Sequence, residues 1–296
     1  MKTLPTKLDY DNGETHGIPD DAIRINASGI SRFFSHTTQW YREKMLGESG
    51  FTGNSASVNG TLVHYIAEQF ARNNTITQDD KDEIAKYILK HTNSEYKDYN
   101  PDIDINYIED NYKIMAETLV NDYLLENPPS RVEDFVAMEI LPNIYVGGSI
   151  DNLTGGSITS CEDGKITVEA NPQAAMICDY KTTSMRPGNL KGKSISWSHK
   201  LQLLTYAWIL TQQGQPVDRI RIIYITSNDV NRISEKTGKP LQAYPSTIVT
   251  LTEQITESDL EMVGDIIHLI AESVQLWKTK PELHHILAQD MRLKAK

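Results

Sequence analysis

The chain changes its hydrophobic period once, at the proline pair Pro128–Pro129, and that change bounds what it can fold into. Proline offers no amide hydrogen and its ring clashes with a preceding helical turn, so the pair ends any helix before it. Upstream, apolar residues recur at helical spacing; downstream, strand-like alternation dominates. "NASGISRFFSHTTQWYREKMLG" reads as a helix with Ser28 as N-cap, Gly47 as stop, and Ile30, Phe33, Phe34, Tyr41 and Met45 as apolar positions. "SVNGTLVHYIAEQFARNN" gives a second, with Leu62, Val63, Ile66, Ala67 and Phe70 as its buried stripe, and two more are expected over 79–91 and 103–126.

Past the prolines, "RVEDFVAMEILP" and "IYVGGSIDNL" read as strands, "SITS" and "KITVEA" as a hairpin extension, and "AAMICDYK" as the next core strand. "SWSHKLQLLTYAWILTQQG" is a helix ending at Gly214, "DRIRIIYITS" and "STIVTLT" are strands, and a long helix over 256–279 precedes a short one after Pro281. Helices followed by strands, with one strong helix among them, predict an α+β fold with an α/β core and a helical layer. Residues 1–25 are expected to form a polar arm and 26–296 a single domain: a helical part (26–127), a core (130–226) and a C-terminal strand with helices (227–296).

Two cysteines, Cys161 and Cys178, rule out a disulfide scaffold and a four-thiolate cluster. No apolar run is long enough for a membrane span, which places the protein in the cytoplasm with no membrane partner. The net charge of -11 speaks against nucleic acid in bulk, but local distribution decides binding. Between Tyr180 and Val217 lie Lys181, Arg186, Lys191, Lys193 and Lys200 and no acid, a candidate phosphate track. "GNLKGKS" is not a phosphate loop, because Pro187 stands where the first glycine is required. His284 and His285 make no zinc site, since adjacent side chains diverge and no cysteine pair accompanies them.

In a strand, side chains alternate, so Asp179 and Lys181 in "AAMICDYKTTS" share one face and Tyr180 takes the other. Three other acid-x-lysine pairs, Asp79/Lys81, Glu95/Lys97 and Asp163/Lys165, sit in polar or turn-like runs; only Asp179/Lys181 follows an apolar run. "GGSIDNL" ends a strand on Asp151 after two glycines that permit close approach. Glu139 lies in the apolar strand expected to pair with it, where an acid is costly unless partnered. His64 and Glu68 are four apart on one helical face, as are Gln202 and Tyr206 on another.

In this order and these settings the residues resemble the PD-(D/E)XK nuclease superfamily, and within it the RecB-like exonuclease branch. There a helix carries a histidine, a "G-x-x-D" strand end the first acid, a "D-x-K" strand the second acid and a lysine, and the following helix "Q-x-x-x-Y". His64, Asp151, Asp179 with Lys181, and Gln202 with Tyr206 match that pattern across roughly 26–226. The chain departs from it in having "SHTTQW" where some relatives carry the first cysteine of an iron–sulfur cluster, so no such cluster is implied. The gap from Asp151 to Asp179 is also long, which is read as a hairpin inserted around 155–172.

The resemblance implies a restriction-endonuclease-like mixed central sheet flanked by helices. It implies a divalent-metal-dependent nuclease, an exonuclease hydrolysing DNA ends in recombination or repair, bacterial or phage. His64, Asp151, Asp179 and the Tyr180 carbonyl would hold Mg2+ or Mn2+ in a two-metal site, the imidazole favouring Mn2+. Lys181 would orient or deprotonate the attacking water, or stabilise the developing charge. Gln202 and Tyr206 would position water and phosphate, with Glu68 and Glu139 supporting the ligands. Arg186, Lys191, Lys193 and Lys200 would follow the DNA, with a single-strand annealing or recombination protein as a further partner. A binder that keeps the fold without cleaving, or a structure-dependent endonuclease, are the alternatives.

Overall fold

The computed structural model describes residues 17–48, 53–155, 158–162, 165–169, 174–228, 237–239 and 244–280. Six strands form one mixed sheet: β1 (Ile23–Asn26), β2 (Arg131–Leu141), β3 (Ile144–Thr154), β6 (Ala175–Thr183), β7 (Val217–Asn228) and β8 (Tyr244–Gln254). Its order is β1-β3-β6-β7-β8, with β2 paired to β3 as well. β6 and β7 run parallel, and β7 and β8 antiparallel. The inserted hairpin expected around 155–172 is present as β4 (Ile158–Glu162) and β5 (Lys165–Glu169), a separate two-stranded sheet.

β1 comes from the last residues of the stretch expected to be an arm. It pairs in parallel with Ile144–Gly147 and buries Ile25. Four residues with two isoleucines are too short a run to announce a period of two.

The helices are α1 (Ile30–Ser35), α2 (Thr37–Met45), α3 (Ser55–Asn73), α4 (Gln78–Thr92), α5 (Ile105–Leu119), α6 (Trp197–Gln212) and α7 (Glu257–Thr279). The opening helix expected as one piece is broken. A 3-10 turn at Ala27–Gly29 leads in, and His36 leaves the helical region at φ -144°, ψ 53°. Ser35 to Thr38 is a run whose side chains compete for backbone groups; the Thr37 hydroxyl donates to the Phe33 carbonyl at 2.6 Å. Gly47 lies just past the end of α2 at φ +67°, the stop its position suggested. α3 opens on a reciprocal capping box between Asn54 and Ser57. α5 runs into a π-helical turn, Val120–Leu124, ahead of the prolines. The short helix expected after Pro281 lies outside the described residues.

Alternation along β6 divides the core. Ala175 and Ile177 join α1, α2, α6 and α7 on one face. Met176, Cys178 and Tyr180 join α3, α4 and α5 on the other. α6 is buried from Leu201 to Leu210 at every position except the half-buried Gln202, as expected of a helix enclosed on all sides. The result is the α+β arrangement expected from the sequence, a mixed central sheet flanked by helices. Among the described residues no helix is long and apolar enough to cross a membrane.

Candidate functional site

β2 pairs along most of β3, so β1 and β6 must share its other edge. β1 takes Ile144–Gly147 and β6 takes Asn152–Thr154, leaving Gly148–Asp151 without a strand partner on that side among the described residues. One more step of the β3–β6 register would set Asp151 opposite Asp179. The ladder instead stops at Asn152 and Cys178, and the Tyr180 amide donates to Asp151 Oδ2 at 2.9 Å. A side chain thus satisfies a backbone donor where the strands part.

His64 reaches this opening from α3. Its Nε2 lies 2.9 Å from the Tyr180 carbonyl oxygen and its Nδ1 lies 3.2 Å from Asp151 Oδ1. The second contact is within ion-pair range, yet Nδ1 makes no hydrogen bond.

Glu133 is the acid opposite Asp151. Val132 pairs with Asn152 and Asp134 with Ile150, which brackets the two, and Glu133 is buried at a left-handed φ of +44°. Donor atoms of His64, Glu133 and Asp151 lie within 4.8 Å of one another. Glu139, the acid chosen from the sequence for this strand, is elsewhere. It is exposed, pairs in register with Tyr145, and its Oε1 accepts the Asn143 amide at 2.8 Å. Six strand residues, about 20 Å, separate it from Glu133. Counting back from the Pro142–Asn143 turn would have put Asp134 opposite Asp151; an irregularity between Glu139 and Leu141 shifts the register by one residue and brings Glu133 there instead.

Asp179 is buried, its Oδ2 2.6 Å from Lys181 Nζ, and its Oδ1 accepts from Gln202 Nε2 at 3.1 Å. Burial pushes its pKa up; Lys181 opposes that shift and the neighbouring Asp151 charge adds to it. Gln202 therefore holds the carboxylate in place. Tyr206, one turn further along α6, is buried against Gly148, where a Cβ would stand 2.8 Å from the phenol oxygen. Gly147 is needed as well, since a Cβ there would collide with the Val136 carbonyl. Glu68 lies one turn beyond His64 with its carboxylate ion-paired to Arg72 at 2.6 Å.

His199 and Tyr224 join the site without having been read from the sequence. His199 Nδ1 is 3.3 Å from the Tyr224 hydroxyl, and Tyr224 is the register partner of Lys181. Burial, aided by the Lys181 ammonium, holds the His199 pKa below the usual histidine range, so the ring is neutral at pH 7. His199, Gln202 and Tyr206 fall at helical spacing on one face, a signal extending the pair already noted.

Among the basic residues, Arg186, Lys191 and Lys193 are exposed between β6 and α6. Lys200 is not available in the same way: it is 3.2 Å from Glu253 and 3.3 Å from Asp259.

The donor set suits a hard or borderline divalent cation. It offers carboxylate oxygens, a backbone carbonyl and one imidazole, with no thiolate. Two buried acids beside a buried ring nitrogen that makes no hydrogen bond bring three potential ligand atoms together.

The family model of the PD-(D/E)XK nuclease superfamily matches residues 24–263. A protein from Eubacterium rectale, provisionally described as an exonuclease, superposes with a TM-score of 0.51 at 13% identity, covering 93% of this chain and 86% of that one. That likeness is one of fold. The crystal structure of LHK-Exo in complex with dAMP aligns at 11% identity with a TM-score of 0.32, covering 73% of this chain and 93% of that one. No curated protein matches.

Proposed function

Because the chain belongs to the PD-(D/E)XK nuclease superfamily, we propose that it is a divalent-metal-dependent DNA nuclease of the RecB-like branch, an exonuclease acting at DNA ends in recombination or repair. One observation carries this reading: His64, Asp151, Asp179, Lys181 and Gln202, drawn from two helices and two strands, meet where β3 and β6 part. The exonuclease preference extends to this chain the provisional description of the Eubacterium rectale protein.

His64, Glu133, Asp151, Asp179 and the Tyr180 carbonyl would hold Mg2+ or Mn2+. The bound ion supplies an activated water and neutralises charge on the phosphoryl oxygens. Lys181 is anchored by Asp179, and its ammonium would donate to the attacking water or to a phosphoryl oxygen as its charge grows. Gln202 fixes the Asp179 carboxylate, and the neutral His199 with Tyr224 packs beside Lys181 without adding charge that would repel it. Glu68, paired with Arg72, supports the helix turn behind His64. Tyr206 keeps β3 close to α6 through Gly148, and so sets the height of Asp151. Arg186, Lys191 and Lys193 would meet the phosphates of the incoming strand.

The test is gel-resolved cleavage of end-labelled linear and closed circular DNA by the purified protein with EDTA, Mg2+ or Mn2+, alongside Asp179→Ala and Lys181→Ala. Metal-dependent shortening of linear DNA alone, lost in both variants, is expected. Cutting of circles would make it an endonuclease. Absence of cutting with every metal would refute the catalytic reading.

A further inference from the structure

A cavity of about 240 Å3 opens beside the catalytic strand end and is used by none of the groups above. Ala56 and Asn59 of α3, Tyr107 of α5, Thr182 and Thr183 at the end of β6 and Ser227 near the end of β7 contribute to its lining. It lies outside the carboxyl ends of two parallel strands, where open sheets place their ligands. It also adjoins the site: Thr182 follows Lys181, and Asn59 precedes His64 by five residues, about 7 Å along the helix axis.

The chemistry of the lining is specific. No lining side chain is charged, which argues against a phosphate or a metal ion. One wall is a tyrosine, and the rest is mostly hydroxyls and an amide. Asn59 is 1% exposed, its Nδ2 reaches only the weak acceptor Met115 Sδ at 3.3 Å, and its Oδ1 has no hydrogen-bond partner. A buried amide oxygen left unpaired is costly, and a ligand donor would relieve that cost. The neighbouring walls are fixed: the Ser227 hydroxyl donates to Asn111 Oδ1 at 3.1 Å, and Asn111 Nδ2 donates to the Tyr107 carbonyl at 2.7 Å. At about 30 Å3 per liquid water, the cavity holds on the order of eight non-hydrogen atoms, the size of a pyrimidine with its exocyclic groups.

We propose that this cavity receives one unstacked nucleobase of the DNA strand entering the site, with Asn59 and the hydroxyls on its edge and Tyr107 at its ring. The inference rests on the nucleic-acid reading above and adds to it a place where a base, rather than a phosphate, is held. Such a site would require a frayed or single-stranded end, because a paired base cannot enter.

The experiment separates the cavity from the chemistry. Binding of a short single-stranded oligonucleotide is measured by fluorescence anisotropy in EDTA and in Ca2+, together with a series in which each position in turn is made abasic. One abasic position should weaken binding about tenfold, as loss of a stacked base does, with little effect at the others. Asn59→Leu, which keeps the branched skeleton but removes the amide, and Ala56→Trp, which fills the opening from an exposed helix position, should erase that position-specific loss. Thermal melts show that both variants are folded. A flat profile in the parent, no binding, or the same loss persisting in Ala56→Trp would overturn the proposal. A position-specific profile in a protein that cuts nothing would sink the nuclease reading and keep the cavity, and cleavage with a flat profile would do the reverse.

Discussion

Glu133→Gln should stabilise the protein without metal and weaken its hold on metal, two effects of opposite sign from one lost charge. The substitution keeps side-chain shape and removes a charge opposite Asp151. Donor atoms of the two acids lie within 4.8 Å, where unit charges repel by roughly 3.5 kcal/mol at an effective dielectric of about 20. His64 and the further partners of both acids cancel part of this, leaving a gain on the order of 1–3 kcal/mol for the metal-free variant. For a chain of this size that raises Tm in EDTA by roughly 2–6 °C. With Mn2+ the balance reverses. Losing a charged ligand should cost at least the ~10–100-fold in affinity that outer partners alone are worth, so metal-induced stabilisation falls by about 1.4–2.8 kcal/mol. Melting curves across a Mn2+ titration, with cleavage assayed on the same samples, read both effects. Glu139→Gln is the control and should change neither, being exposed and bonded to the Asn143 amide. A Glu133→Gln protein that melts lower in EDTA and responds to Mn2+ like the parent would refute the reasoning.

Gly147→Ala should lower the urea midpoint by about 1 M, since a Cβ there collides with backbone that cannot yield, at a cost of about 3 kcal/mol; Gly188→Ala, facing open space, should not move it. Cys178 is buried and its pKa is pushed up to about 11, mainly by burial. Its protonated form is favoured in the folded state, so its contribution is intact below the unfolded thiol pKa and is lost as pH rises towards about 11, at about 1.4 kcal/mol per unit. Cys178→Ala should flatten that alkaline decline, and an identical slope in the variant would contradict the burial argument. His64→Ala should reduce cleavage and shift preference from Mn2+ towards Mg2+; unchanged metal profiles would remove His64 from the ligand set.

The elements that position the site were legible because their periods are long and their punctuation is clear. β3 and β6 carry acids after apolar runs, although both strands continue beyond Asp151 and Asp179, to Thr154 and Thr183, rather than ending there, and α6 holds its polar pair within a helix that is otherwise apolar at its centre. What escaped depended on pairing. β1 is too short to show a period, and Glu133 is invisible until β2 and β3 are set in register, whereas Glu139 looked better placed merely by lying in a more apolar stretch. His199 was passed over because the helix was read for a pair four residues apart. The break at His36 reflects side chains competing for backbone groups, an effect weaker than the apolar spacing that suggested one helix. Lys200 reads as a free cation in sequence because Glu253 and Asp259 are more than fifty residues away.

The bond from the Tyr180 amide to Asp151 bears on how a substrate complex is captured. Inactive variants are the usual means of trapping DNA on a nuclease, and the two aspartates look interchangeable for that purpose. They are not. Asp151→Ala leaves a buried amide without its acceptor, at a cost of about 1–3 kcal/mol, and removes the wedge that stops β6 from zipping one residue further along β3. Affinity measured on that protein would describe a narrower groove. Asp179 is held by the Lys181 and Gln202 side chains, so Asp179→Asn should silence the proposed chemistry while the spacing of the two strands is preserved.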